Sequence, residues 1–122
     1  MAQEHVGMVL SKTADAAITQ YRIVKLTSTG VDVSTADTDL IFGVAKLTVA
    51  ITEQCPVQIS GTSKVTASAA ISVGDYLTAT TAGKVVTTTT DKKRVIGMAL
   101  EAAAADGDII EVLLMPGFMT SL

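Results

Sequence analysis

Side chains that could transfer a proton or attack a substrate are scarce in this chain. The only histidine is His5, near the N-terminus, and the only cysteine is Cys55. Acid–base and nucleophilic catalysis need a titratable group held against a partner, which a histidine in a loosely held terminus does not provide. Cys55 alternates with polar residues in the run 54–60, a pattern that indicates a buried side chain on a strand. We therefore expect no catalytic residue.

Several carboxylates fall in short polar connectors between apolar runs. They are Asp37, Asp39, Asp75, Asp106 and Asp108. A calcium loop requires several oxygen ligands at set spacings with a bidentate glutamate, and a zinc site requires clustered cysteine and histidine. Neither pattern occurs, whereas a short aspartate side chain readily bonds the backbone of a turn. These residues are thus predicted to shape turns, with no metal site and no cofactor.

Two apolar runs joined by one such connector form the clearest element, residues 95–117. The connector ends in Asp106 and Gly107, a dipeptide that supplies the positive φ of a tight reversal. Residues 101–105 are mostly alanine, but so short a helix is marginal by itself, so at most one helical turn is expected there. The pattern predicts a core hairpin, and a second hairpin of the same design over residues 40–61.

The two hairpins belong to a longer internal repeat with an offset of about 55 residues. The corresponding pairs are Gly43 with Gly97, Gly61 with Gly117, and Tyr21 with Tyr76. This repeat predicts an all-β fold: a small single-domain barrel or sandwich built from two pseudo-repeated halves, about residues 11–61 and 63–117, with at most one or two short helical turns. Because 48% of the residues are apolar but only 3% are aromatic, the halves are expected to complete one aliphatic core.

Both ends of the chain lie outside the repeat. We predict an N-terminal arm at 1–17, a β domain at 18–117 and a C-terminal tail at 118–122. Termini are loosely held unless something ties them down, so the arm either orders on a partner or forms an ordinary edge strand. In the last predicted strand Glu111 stands among apolar residues, and we expect it at a solvent edge of the sheet rather than in a subunit contact.

The charge balance bears on the class of partner. A net charge of −3 and a pI near 4.9 leave no broad basic surface for phosphates, so nucleic acid is not expected as a partner. The basic run 92–94 is too short to change this. No apolar run approaches the ~18 residues of a membrane span, and the first residues lack the pattern of a signal peptide. We expect a soluble product of the cytoplasm that does not act on a membrane.

Residues 95–114 resemble the closing motif of the capsid cement proteins of tailed phages, also called head decoration proteins. Three upstream segments fall where that family has a Gly-Asp turn, a Gly-led strand and a Gly-Val-Ala segment. They are residues 74–77, 83–85 and 42–45. The resemblance covers about residues 18–116. It implies a small β protein, often a homotrimer, that docks outside the head at three-fold positions and locks neighbouring major capsid subunits together.

The resemblance places this protein on the capsid exterior of a virion, after synthesis in the host cytoplasm, with the major capsid protein as its partner. It carries over no catalytic residue and no small-molecule substrate. The capsid contact is predicted in the N-terminal arm, at Val6, Met8, Val9 and Leu10, and in loops at one end of the barrel.

Two other functions remain open from the sequence. One is a different structural module of the virion, such as a tail or spike adaptor with the same barrel core. The other is a small ligand-binding β-barrel or a small enzyme, which requires a pocket. A pocket lined by Tyr21, Tyr76 or His5 would support that second alternative.

Overall fold

Short aliphatic and β-branched runs, bounded by polar or glycine turns, become strands throughout the chain. The structure is a computed structural model and describes residues 4–36, 39–89 and 94–118, which form eleven strands and one 3-10 turn at Thr81–Gly83. The strands are β1 (His5–Val6), β2 (Val9–Thr13), β3 (Ile23–Leu26), β4 (Val31–Val33), β5 (Ile41–Ala45), β6 (Gln54–Gln58), β7 (Gly61–Thr66), β8 (Tyr76–Ala79), β9 (Val85–Thr87), β10 (Arg94–Ala99) and β11 (Ile109–Phe118). The predicted all-β class is confirmed.

The two sheets have the same strand order. One sheet runs β2-β6-β5-β3-β4, and the other runs β7-β11-β10-β8-β9 with β1 added outside β7. Each strand of the first half therefore has a counterpart in the second, and the predicted hairpins β5–β6 and β10–β11 occupy equivalent places. This topology confirms the prediction of two pseudo-repeated halves.

Each sheet curls until its edges meet. Ala14, directly after β2, forms a parallel bridge with Val31 in β4, and Ala67, directly after β7, forms the equivalent bridge with Val85 in β9. A second pair of bridges, Ile18 with Val49 and Ile71 with Ala103, ties down the equivalent loops. Each half is thus a small curled barrel closed by single bridges.

Gly43 and Gly97 sit in matching environments. A Cβ atom on Gly43 would lie 2.3 Å from the Gln58 carbonyl oxygen, and one on Gly97 would lie 2.0 Å from the Leu113 carbonyl oxygen. Both glycines therefore allow the neighbouring strand to approach more closely than any side chain would permit. The equivalence inferred from the sequence is confirmed at these positions.

The apolar interior forms two clusters rather than the single core that was expected. The first contains Ala14, Ile18, Val24, Val31, Ala45, Val49, Cys55 and Val57, all from the first half. The second fills the other half, but it also takes in Ile23 and Val44 from β3 and β5. Successive residues of a strand face opposite sides of a sheet, so these strands serve both clusters and join the halves.

One predicted correspondence is wrong. Tyr21 does not match Tyr76 but Gly74: its N–H donates to the Ala45 carbonyl, as the N–H of Gly74 donates to the Ala99 carbonyl. Tyr21 has a φ of 64° and Gly74 a φ of 90°, so both make the same left-handed turn before a strand. The sequence did not reveal this turn, because Tyr21 continues the alternation of side chains seen in the strand that follows it, β3.

The position of Glu111 also differs from the prediction. Glu111 lies on β11, an interior strand, where it is half-buried and faces Lys64 on β7. The prediction that Glu111 lies at a solvent edge is therefore wrong.

Some predicted features fall outside the described residues. They are Asp37, most of the basic run 92–94, residues 1–3 of the predicted arm and most of the tail 118–122.

Candidate functional site

The N-terminal segment occupies the edge of both sheets. Residues 5–13 run antiparallel to residues 54–62, the stretch that joins the two halves, so β1 pairs with β7 and β2 pairs with β6. Between the two strands the Gly7 N–H donates to the Ser60 carbonyl at 3.2 Å. The sequence left open whether this segment orders on a partner or forms an edge strand. In the structure it forms edge strands.

The four predicted contact residues lie together on this segment and are exposed. Their exposed fractions are 53% for Val6, 57% for Met8, 40% for Val9 and 37% for Leu10. We call these four residues the N-terminal ridge. Because successive residues of a strand face opposite sides of a sheet, Val9 and Leu10 expose their side chains on opposite faces of this edge. Large exposed apolar side chains close together in the chain commonly mark a segment that binds another protein.

Glu4 anchors the start of this segment to both halves. Its Oε1 atom accepts hydrogen bonds from the ammonium group of Lys46, from the Lys64 N–H at 3.1 Å and from the Ser63 hydroxyl at 3.4 Å. Lys46 belongs to the first half and Lys64 to the second. Both ammonium groups also lie over the Tyr21 ring, at 5.4 Å and 5.9 Å from its centroid. Sequence reasoning missed this anchor because its members are far apart in the chain.

The surroundings of Glu4 change its titration. Burial raises the pKa of Glu4, but the hydrogen bonds and charges of Lys46 and Lys64 outweigh this, so the pKa lies below its ordinary value of 4.5. A carboxylate with a lowered pKa in the folded state stabilises that state above the unfolded pKa. This contribution is lost as the pH falls through the folded pKa.

We predict that the anchor is released by acid. At pH 7 Glu4→Gln should lower the thermal unfolding midpoint relative to the native chain, and the difference should shrink as the pH falls below about 4.5. Thermal unfolding followed by circular dichroism between pH 3 and pH 7 measures this. Glu53→Gln, in an exposed turn, is the matched control. A difference that stays constant with pH would contradict the prediction.

The predicted turn role of the aspartates is confirmed at most of the described positions. The Asp39 carboxylate accepts from the N–H groups of Thr35 and Ala36, and the Asp108 carboxylate accepts from those of Ala104 and Ala105. The Asp75 carboxylate likewise accepts from the Ser72 N–H. Asp106 differs, because its carboxylate forms an ion pair with the distant Lys84. Among the described residues no group of three or more His, Cys, Asp or Glu side chains is placed to hold a metal ion.

The residues considered for a ligand pocket do not line the cavity found in the structure. An open polar cavity of about 290 Å³ lies between β2 and the β3–β4 turn. Its lining is Ser11, Lys12, Thr13, Leu26, Thr27, Ser28, Thr29, Gly30 and Gln54. Tyr21, Tyr76 and His5 do not line it. Cys55 is buried, and burial raises the pKa of its thiol, as expected for a core cysteine.

Comparison with known proteins decides the family. The profile described as phage cement protein matches residues 2–114, nearly the whole chain. This chain belongs to the phage cement protein family. Cement proteins are structural components of phage heads, so the family implies a non-enzymatic role associated with the head of a virion. None of the curated proteins matches this chain.

A solved structure shares the fold of this cement protein. It is the N base of the head fiber gp8.5 in bacteriophage phi29, which is 23% identical, with a TM-score of 0.67 over 88% of this chain and 93% of that one. At this identity the similarity concerns the fold. In the part of the chain that is described, no helix is both long and apolar enough to cross a membrane.

Proposed function

We propose that this cement protein decorates the outer surface of a phage head and stabilises the shell by bridging neighbouring major capsid subunits. The observation that carries the proposal is the family match over residues 2–114, made on a chain whose N-terminal ridge is apolar and exposed. The ridge is held on a body of two closed half-barrels. The segment that carries the ridge pairs with strands of both halves, β1 with β7 and β2 with β6, so a pull on it is shared between them.

Bridging suits the forces on a filled head. Packaged DNA pushes the shell outward, and a protein that holds several subunits opposes their separation by adding modest contacts, since the second contact is effectively intramolecular. The net charge of −3 is compatible with a position on the exterior, away from the genome.

A homotrimer is the assembly that fits this role. A closed three-fold oligomer presents the same patch to each of three capsid neighbours around a three-fold position. Three copies of the N-terminal ridge would then face three equivalent subunits. Synthesis in the host cytoplasm, followed by docking onto the finished shell, completes the proposal.

The test is binding to emptied, expanded shells of the matching phage. Native protein should co-sediment at a fixed stoichiometry, and added density should appear at three-fold positions by electron microscopy. The double variant Met8→Asp/Leu10→Asp should bind at least about 30-fold more weakly, because it places charge in an apolar contact without a partner. Both side chains are exposed, so the fold should be retained.

Val73→Asp is the matched control, since Val73 is an apolar residue of the second half that is 67% exposed and is not part of the ridge. It should bind like the native protein. Equal binding by the double variant would overturn the ridge as the contact. Native protein that failed to bind the matching shells would overturn the decoration role itself.

A second candidate is the base of a head appendage, and the shared fold with a head-fiber base favours it. Both roles require attachment to the head, but only the cement role requires stabilisation. Shells should therefore resist heat or chelator to a higher threshold when decorated. Attachment without any change in that threshold would favour the appendage role.

A further inference from the structure

The pseudo-symmetry of the halves makes β2 the counterpart of β7. Each pairs on one side with the second strand of the hairpin in its own half, β6 for β2 and β11 for β7. The bridge residues Ala14 and Ala67 that follow them set an offset of 53 between the two strands. On this offset Val9, Ser11 and Thr13 correspond to Thr62, Lys64 and Thr66.

The register shows which backbone groups of β2 face away from β6. The Met8 carbonyl accepts from the Ile59 N–H at 3.0 Å and the Ala14 N–H donates to the Glu53 carbonyl at 2.9 Å, while the β2–β6 register runs without a shift. Antiparallel pairs alternate between bonded and non-bonded, so even-numbered residues bond to β6. Ser11 lies opposite Pro56, which has no N–H to offer. Val9, Ser11 and Thr13 therefore point their backbone groups outward.

The equivalent groups of β7 are all used. The Lys64 N–H donates to the Glu4 carboxylate, and the Thr66 N–H donates to the Tyr21 carbonyl at 3.0 Å. Thr62 is paired with His5 in β1. By contrast, the N–H groups of Val9 and Ser11 face away from β6 and have no hydrogen-bond partner among the described residues, while Thr13 lies next to the bridge between Ala14 and Val31. The same strand edge is thus covered in one half and open in the other.

The open edge has room for a further strand along only part of its length. At its end the Thr13 carbonyl packs against Gly30, where a Cβ atom would lie 2.0 Å away. From there the edge and the β3–β4 turn diverge around the 290 Å³ cavity, which is lined largely by hydroxyl groups. The space next to Ser11 and Val9 is therefore accessible, and the exposed side chains of the N-terminal ridge border it.

We propose that the outer edge of β2 pairs with an extended segment of the shell subunit, which takes on the first half the place that β1 takes on the second. The inference rests on the proposed function and specifies its contact as strand addition, in which backbone acceptors of the segment meet the Val9 and Ser11 N–H groups. The family match over residues 2–114 makes a head protein the expected occupant, and pairing with the β2 edge of a second copy is the alternative that a self-association measurement tests.

The decisive variant is Ser11→Pro with Ser11→Ala as its control. Proline removes an N–H that faces away from β6, which an edge strand tolerates, whereas alanine keeps it. Both variants should unfold within a few degrees of the native chain. Binding to emptied shells should weaken at least about tenfold for Ser11→Pro and remain within about twofold for Ser11→Ala, consistent with one lost backbone hydrogen bond.

Hydrogen–deuterium exchange of the native chain gives a second readout that does not depend on a variant. The Val9 and Ser11 amides should exchange fast when free and become protected on shells. Shell binding by the native chain with these amides still unprotected, or equal binding by Ser11→Pro, would overturn the inference and leave the decoration role standing. A change in self-association of Ser11→Pro without shells would assign the edge to a second copy and also overturn it. Absence of any native binding would instead remove the proposed function.

Discussion

Gly97→Ala should destabilise the protein by about 3 kcal/mol or more, among the largest effects expected from a single methyl group in this chain. The added Cβ would lie 2.0 Å from the Leu113 carbonyl oxygen and 3.1 Å from a methyl group of Val112. Both neighbours belong to β11, which is held on its other side by β7. The clash is with backbone, so no rotamer change relieves it, and β10 and β11 must separate where they pair.

Chemical denaturation at pH 7 measures this loss. Gly74→Asn is the matched control: nothing lies within 4 Å of a Cβ atom on Gly74, and asparagine tolerates its φ of 90° better than other side chains. The counterpart Tyr21 already shows that a side chain is accepted in this turn. The control should cost less than about 1 kcal/mol. A Gly97→Ala protein as stable as the control would mean that β10 and β11 are not packed this closely.

Ile23→Ala should cost about 2–5 kcal/mol and should weaken both halves together. Ile23 is fully buried and belongs to β3 of the first half, yet its side chain packs in the cluster of the second half. Truncation leaves a cavity where the halves join. If the halves form one cooperative unit, unfolding should remain a single transition, shifted to lower denaturant with an unchanged slope.

Leu26→Ala is the control on the same strand, because Leu26 is 40% exposed and lies outside both clusters. Its cost should stay below about 1 kcal/mol. Denaturant unfolding followed both by circular dichroism and by amide exchange in each half distinguishes one cooperative unit from two halves that unfold independently. A biphasic transition for Ile23→Ala, with only one half losing protection, would show that the halves unfold independently.

Much of the local structure could be predicted from the sequence. Apolar runs bounded by turn residues mark strands that are largely buried, and this holds for β5, β10 and β11, while alternation of apolar and polar residues marks β6. The glycine pair Gly43 and Gly97 was matched correctly, since close backbone approach excludes every other residue at both places. Turn aspartates such as Asp108 were also predicted, because their hydrogen bonds are made within four residues.

The candidate site was predicted only in its exposed part. Val6, Met8, Val9 and Leu10 stand out in the sequence as apolar residues near a terminus, and the structure exposes all four. Their anchor could not be predicted. Glu4 meets Lys46 and Lys64, 42 and 60 positions away, and local periodicity contains no information on pairs so distant.

The amino-acid sequence by itself determined the strand content, the hairpins, the aliphatic interior and the doubling of the unit, because each follows from a residue's own chemistry or that of near neighbours. Tertiary structure alone decided that β2 pairs with β6 and β7 with β11, that Tyr21 takes a left-handed turn, and that one strand edge is covered and its counterpart open. Those outcomes depend on which surfaces meet after the chain closes on itself, and hydrophobic patterning specifies that a face is buried without specifying what buries it.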